Sequence, residues 1–146
     1  MVLFTPNQTL QKYESVNDII ELFCSTRIIY YIKRKNSILQ ELENQLVIYN
    51  NKIRFINAVM NDELILRNRS ETVIINELTT NLYTTQNGCY DYLLRLQIRS
   101  FTSEKIEILN NEFEKLNQQI ETVKNLSPKQ IWINELEELK IAYNNL

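Results

Sequence analysis

The sequence predicts a mainly α-helical fold: a long antiparallel coiled-coil stalk, a small α/β globule at its tip, and a C-terminal helix returning to the stalk base. Three observations predict it. The 146 residues hold one glycine, Gly88, and two prolines, Pro6 and Pro128, so little interrupts helix. Apolar residues recur at alternating spacings of three and four in two separate stretches, the signature of a coiled-coil seam. Turn-forming residues gather between those stretches, at Asn61-Asp62 and Gln86-Asn87-Gly88.

Taken in order, residues 1–4 are a short apolar run closed by Thr5-Pro6-Asn7, which reads as a strand entering a turn. Ser15 then offers a helix N-cap, with Asp18 three residues on to accept from free backbone donors. A helix over 15–60 would be about 69 Å long at 1.5 Å per residue and needs a partner along its length. Leu39, Leu42, Leu46, Tyr49, Ile53, Ile56 and Met60 supply its seam. Extended backwards, the register meets Lys35, Ile32 and Ile28, so the seam is polar at Lys35. N-terminal of it, Val16, Ile19, Ile20 and Phe23 form a separate stripe that packs on something other than the coil.

The matching helix lies near the C-terminus. After an N-cap at Thr102, the residues Ile106, Leu109, Phe113, Leu116, Ile120 and Val123 repeat the same spacing. Ser127-Pro128-Lys129-Gln130 starts a new helix, with Ser as N-cap, Pro in the first turn and Gln placed to complete a capping box. Its apolar face is Trp132, Leu136, Leu139 and Tyr143. Arms of similar length imply a hairpin with five segments: an entry strand and turn (1–14), an outgoing helix (15–60), a tip globule (61–101), a returning helix (102–126) and a terminal helix (127–146). Within the tip, residues 63–68 read as a short alternating strand, and Ser70 caps a helix carrying Val73, Ile74, Leu78 and Leu82. The cluster Tyr90-Asp91-Tyr92-Leu93-Leu94 is denser than so small a unit buries alone. It either packs on the stalk end at Phe55, Val59 and Met60 or meets another chain.

Composition excludes much chemistry. With no histidine and one glycine, Ser-His-Asp or Cys-His catalysis, His-ligated zinc and glycine-rich phosphate loops are all out of reach. No catalytic residue, metal ligand or cofactor site is expected in this chain. Sixteen Lys and Arg against eighteen Asp and Glu leave no charge surplus for gripping nucleic acid, so any DNA contact should be loose. Lys33-Arg34-Lys35, the only basic run, is either a solvated stretch or a face turned toward passing DNA. The paired carboxylates Glu41/Glu43, Glu112/Glu114 and Glu135/Glu137/Glu138 read as solvated helix faces, and none of the eight tyrosines has a flanking cluster that would make it a nucleophile. Cys24 and Cys89 lack metal or redox spacing, and roughly 54 Å of helix separates them, which forbids a bridge. No signal peptide and no membrane-length apolar run are present, so an intracellular, reducing setting is expected.

Several blocks together resemble a known family. Val2-Leu3-Phe4 with residues 10–16 is similar to the entry segment of the coiled-coil arm and C-terminal gate of type IIA DNA topoisomerases, of the eukaryotic and large-DNA-virus kind. Phe23, Arg27, Tyr31, Arg34, Lys35 and Leu39 fit that family's F-x3-R-x3-Y-x2-RK-x3-L spacing, and residues 51–56 resemble its NKxRFI motif. The YDYLL segment at 90–94, running on to Ser100-Phe101-Thr102, and Ser127-Pro128-Lys129 before Ile131-Trp132 complete the set. Departures are Gln8 where glycine is usual in the entry turn, and Arg95, Leu96, Gln97 and Arg99 where the family has Gly, Met, Pro and Trp.

The resemblance implies a mechanical module, part of an ATP-hydrolysing enzyme whose active tyrosine, Mg2+-binding acidic residues and ATPase lie upstream. Two copies would meet at their tips to form a homodimer, close the exit of a cavity, and part to release the transported DNA duplex. Phe55, Tyr83, Tyr90, Tyr92, Leu93 and Leu96 are the expected dimer contact. Lys33, Arg34 and Lys35 are the expected DNA-facing residues, and Lys35 with Ser127 and Pro128 the expected hinges. Partners are therefore the second copy, loosely held double-stranded DNA and the rest of the topoisomerase chain, with no membrane. The rival reading is a free-standing coiled-coil scaffold or adaptor; a stand-alone enzyme comes third. Nineteen Ile and nineteen Asn suit an AT-rich coding sequence, as in a large DNA virus or an AT-rich eukaryote. The expected place is the nucleus for a eukaryote, and the host cytoplasm, viral replication site or virion for a virus.

Overall fold

The computed structural model describes residues 1–145. Its elements are β1 (Val2–Phe4), β2 (Leu10–Lys12), α1 (Val16–Met60), α2 (Glu71–Thr80), α3 (Asp91–Leu94), α4 (Ser103–Asn125) and α5 (Pro128–Asn144), with a 3-10 turn at Ile98–Ser100. The fold is mainly α, and the 45-residue α1 fits a stalk. Two compact units form, one from Met1–Leu39 and the chain from Thr122 on, the other from Gln40–Glu121.

In the first unit, β1 and β2 pair antiparallel with Leu3 opposite Gln11. The connecting loop closes through Thr5 N–H to the Thr9 carbonyl at 2.8 Å. Gln8, which replaces the family's usual glycine, sits in the left-handed region at φ 62°. α1 opens on a reciprocal box, Ser15 N–H to Asp18 Oδ2 at 2.9 Å and Asp18 N–H to Ser15 Oγ at 3.2 Å. α5 opens as expected on Ser127, whose Oγ accepts from Gln130 N–H at 3.1 Å. The second half of that expected box is absent: Gln130 Nε2 donates forward to Asn134 Oδ1 at 2.8 Å. The apolar face of α5 is covered only near its start, and Leu136, Leu139 and Tyr143 are exposed.

In the second unit, burial follows the heptad. Leu109, Leu116 and Ile120 of α4 and Ile56 of α1 are buried, while Leu42, Leu46, Tyr49 and Ile53 are partly so. The apolar core is Phe55, Leu64, Ile74, Leu78, Tyr83, Tyr90 and Leu93. The strand expected at 63–68 does not form. Glu63 and Leu64 N–H instead both donate to the Ala58 carbonyl, finishing the C-terminus of α1. Leu64 turns into the core while Ile65 stays exposed, which mimics strand alternation in the sequence. The turn at 86–89 is a tight reversal in which Gln86 and Cys89 exchange both backbone hydrogen bonds. Asn87 and Gly88 hold positive φ there, of 52° and 79°, as a primed turn requires.

Candidate functional site

Two features stand out, one in each unit. In the second unit, α1 and α2 both end in a Schellman motif, in which the two N–H groups past the helix reach back to its last carbonyls. For α2, Leu82 N–H donates to the Thr79 carbonyl at 3.1 Å and Tyr83 N–H to the Leu78 carbonyl at 3.0 Å. The residue in the left-handed position is Leu82, at φ 57° and 83% exposed. The strap that follows is pinned by side chains. Arg54 Nη2 donates to the Asn81 carbonyl at 2.9 Å, Tyr90 Oη to the Tyr83 carbonyl at 3.1 Å, and Tyr92 Oη to the Thr84 carbonyl at 2.6 Å. Asn51, itself buried, donates to the Tyr92 oxygen at 2.9 Å, and the Arg54 guanidinium lies 4.6 Å from the Tyr83 ring centre.

The residues expected at the dimer contact lie in or against this unit's core. Phe55 and Leu93 are fully buried, Tyr83 and Tyr90 nearly so, and Tyr92 and Leu96 pack against the same core. They face inward and build the platform from which the strap 81–84 is held. Burial pushes the Tyr83 and Tyr92 hydroxyls above the ordinary tyrosine range, in Tyr92 against the opposing pull of the Asn51 hydrogen bond. Both stay neutral, the opposite of an activated nucleophile. Leu82 escapes notice in the sequence because its spacing places it on a helix face. The available signal is its position just past the end of α2, where glycine or asparagine is the usual residue.

In the first unit, Lys35 Nζ donates to the carbonyls of Lys124 at 2.8 Å and Leu126 at 2.7 Å, covering acceptors left open where α4 ends and Ser127-Pro128 begins. Lys35 thus ties α1 to the end of α4, next in sequence to Ser127-Pro128. One turn earlier, buried Tyr31 donates to Glu135 of α5 and stacks on Trp132, 5.7 Å between ring centres. Arg34 pairs with the same carboxylate at 2.7 Å. The Tyr31 hydrogen bond, helped by the charge of Arg34, holds Glu135 below the usual carboxylate range. Of the basic run, Arg34 and Lys35 are engaged within the unit, and Lys33 lies over the Tyr30 ring at 5.3 Å. Among the described residues no group of three or more His, Cys, Asp or Glu side chains gathers to hold a metal ion, and both cysteines are free thiols. No helix among them is long and apolar enough to cross a membrane.

The family model that describes the A-type subunit of DNA gyrase/topoisomerase IV matches residues 1–137. The chain belongs to this type II topoisomerase family. This topoisomerase chain is 35% identical over 141 residues to DNA topoisomerase 2 of Invertebrate iridescent virus 6, covering 96% of itself and 12% of that protein. It is 28% identical to DNA topoisomerase 2 of Plasmodium falciparum, covering 97% of itself and 13% of the relative. Among solved structures it is similar to the DNA-binding, cleavage and re-ligation domain of Plasmodium falciparum topoisomerase II, with a TM-score of 0.83 and 30% identity, over 99% of this chain and 23% of that one. The topoisomerase chain thus spans about an eighth of the length of these curated relatives.

Proposed function

We propose that this chain is the exit gate of a type II DNA topoisomerase. Two copies meet through the unit at 40–121, hold the exit shut, and part to let a transported duplex leave during ATP-driven strand passage. The segments 15–60 and 102–126 serve as stalk and 61–101 as gate, and Lys35 with Ser127 and Pro128 marks the flexing point. Lys33, the one member of the basic run not tied to α4 or α5, is the residue left to face DNA, and contact there is loose. ATP and Mg2+ would act elsewhere in the parent polypeptide; the described side chains offer no acidic cluster for the metal. The place of action is wherever that DNA is, the nucleus or a viral replication site.

One observation carries this reading. A chain similar to topoisomerase II along 99% of its length gathers residues 40–121 into a unit with its own apolar core. Such a core gives a gate a rigid face to present to its twin. The test places a spin label at position 45, as Gln45→Cys in a chain with Cys24 and Cys89 replaced by serine, and measures mass and label separation in solution. A dimer with labels tens of Å apart is expected. Labels in close approach would mean side-by-side stalks and a scaffold, and a monomer at every concentration would end the gate reading.

A further inference from the structure

Among the described residues, six hold positive φ: Gln8, Asp62, Asn68, Leu82, Asn87 and Gly88. Glycine takes this conformation freely, and Asn and Asp tolerate it because their short polar side chains bond locally. Leucine has neither advantage and loses roughly 1 kcal/mol there. Of the six, Leu82 is the one large apolar side chain. Composition does not force it, since asparagine is among the commonest residues of the chain and fills two of these positions. The α1 terminus, built on the same motif, uses Asp62.

The side chain that causes the strain does little inside the unit. Leu82 is 83% exposed and no part of the core, whereas Leu78 and Tyr83 on either side of it are buried. The backbone around it is nevertheless pinned by side chains, Arg54 at Asn81, Tyr90 at Tyr83 and Tyr92 at Thr84. A rigid turn that spends conformational energy to hold an apolar side chain in water is built for contact outside the molecule.

Charge indicates what that contact is. Residues 78–90 contain no charged side chain, the longest such run in a chain that is 23% charged. Across a two-fold axis each residue near the centre approaches its own copy, so any charge there would meet its like. A strap that brings no charge of its own suits self-contact, and interface cores are depleted of charge in general; the one cation against it, Arg54, is engaged by the Asn81 carbonyl and the Tyr83 ring. Ile98 is 90% exposed, but its own segment carries Arg95 and Arg99, unlike the strap, and it serves as the comparison residue.

We propose that Leu82, presented by the uncharged strap 78–90, is the anchor by which a second copy of this chain is held. This rests on the gate reading and names its contact. The test is sedimentation equilibrium and thermal melting of the intact chain and of Leu82→Gly, Leu82→Asn and Ile98→Ser. Melted at a concentration low enough that parent and variants are all monomeric, the two Leu82 variants, whose backbone is relieved, should unfold at the same temperature or up to about 3 °C higher. Their dimers should be at least about tenfold weaker, the loss expected for a central apolar anchor. Ile98→Ser should dimerise like the parent.

A lower melting temperature of both Leu82 variants as monomers would show that the side chain serves the unit's own packing and overturn the proposal. So would variants that dimerise as tightly as a dimeric parent, or a dimer lost with Ile98→Ser alone; both leave the gate reading standing. A parent chain that is monomeric throughout would remove the gate reading itself, and the anchor with it.

Discussion

Lys35 Nζ lies 2.7 Å from the carbonyl oxygen of Leu126, 91 residues further along the chain, and donates a hydrogen bond to it. A second bond to the Lys124 carbonyl makes this ammonium a cap for the C-terminal end of α4, where the helix dipole also favours positive charge. Lys35→Met keeps most of the apolar stem and removes both bonds. It should destabilise the first unit by about 1–2 kcal/mol, read by urea unfolding, and speed amide exchange over 124–130. Lys35→Arg should recover part of the loss.

The Ser127 cap is separable from that tie. Ser127→Ala should lower stability by about 1 kcal/mol while leaving Lys35 in place. Combined with Lys35→Met, the loss should depart from additivity, because both act on one junction. A thermodynamic cycle of the four proteins measures it.

Glu135 gives the first unit a pH dependence. Its folded value is held below the usual carboxylate range by Tyr31 and Arg34, so its contribution is full above the unfolded glutamate value. It is lost as pH falls from that ordinary value through the lower folded one. Trp132, the one tryptophan, stacks on Tyr31 and reports the event. Its emission should change in that acid window, and Glu135→Gln should remove the transition. No corresponding change is expected near neutrality.

The second unit should fail differently. Phe55 is fully buried and packs edge-on against Tyr83, so Phe55→Ala should cost about 3–5 kcal/mol and melt this unit while Trp132 emission persists. Tyr92→Phe removes only the hydroxyl shared by Asn51 and Thr84 and should cost about 1–2 kcal/mol. Far-ultraviolet circular dichroism beside Trp132 fluorescence separates the two units.

The long helices and their caps are legible in the sequence because local chemistry decides them. Ser15 with Asp18, Thr102 and Ser127 each cap the helix expected of them. β2 is not legible, since Leu10, Gln11 and Lys12 are exposed on both faces and leave no alternating trace. The false strand at 63–68 arises because one buried leucine in a loop imitates a pleat. Aromatic content marks the tip as special but does not show which way its side chains turn: Tyr83, Tyr90 and Leu93 face inward, while Leu82 and Ile98 are left exposed. Lys35 reads as a polar fault in a seam, because spacing along one helix cannot show carbonyls arriving from another.

The hairpin at the start of the chain has a practical consequence. A two-stranded sheet consists entirely of edges, and this one carries exposed Val2, Phe4 and Leu10. An edge of that kind invites a third strand from whatever polypeptide lies nearby. In the isolated chain this is a route to aggregates owing nothing to a gate, and concentration alone would drive it. Val2→Lys places a charge on that edge without touching residues 40–121, and is the background in which every mass measurement should be repeated.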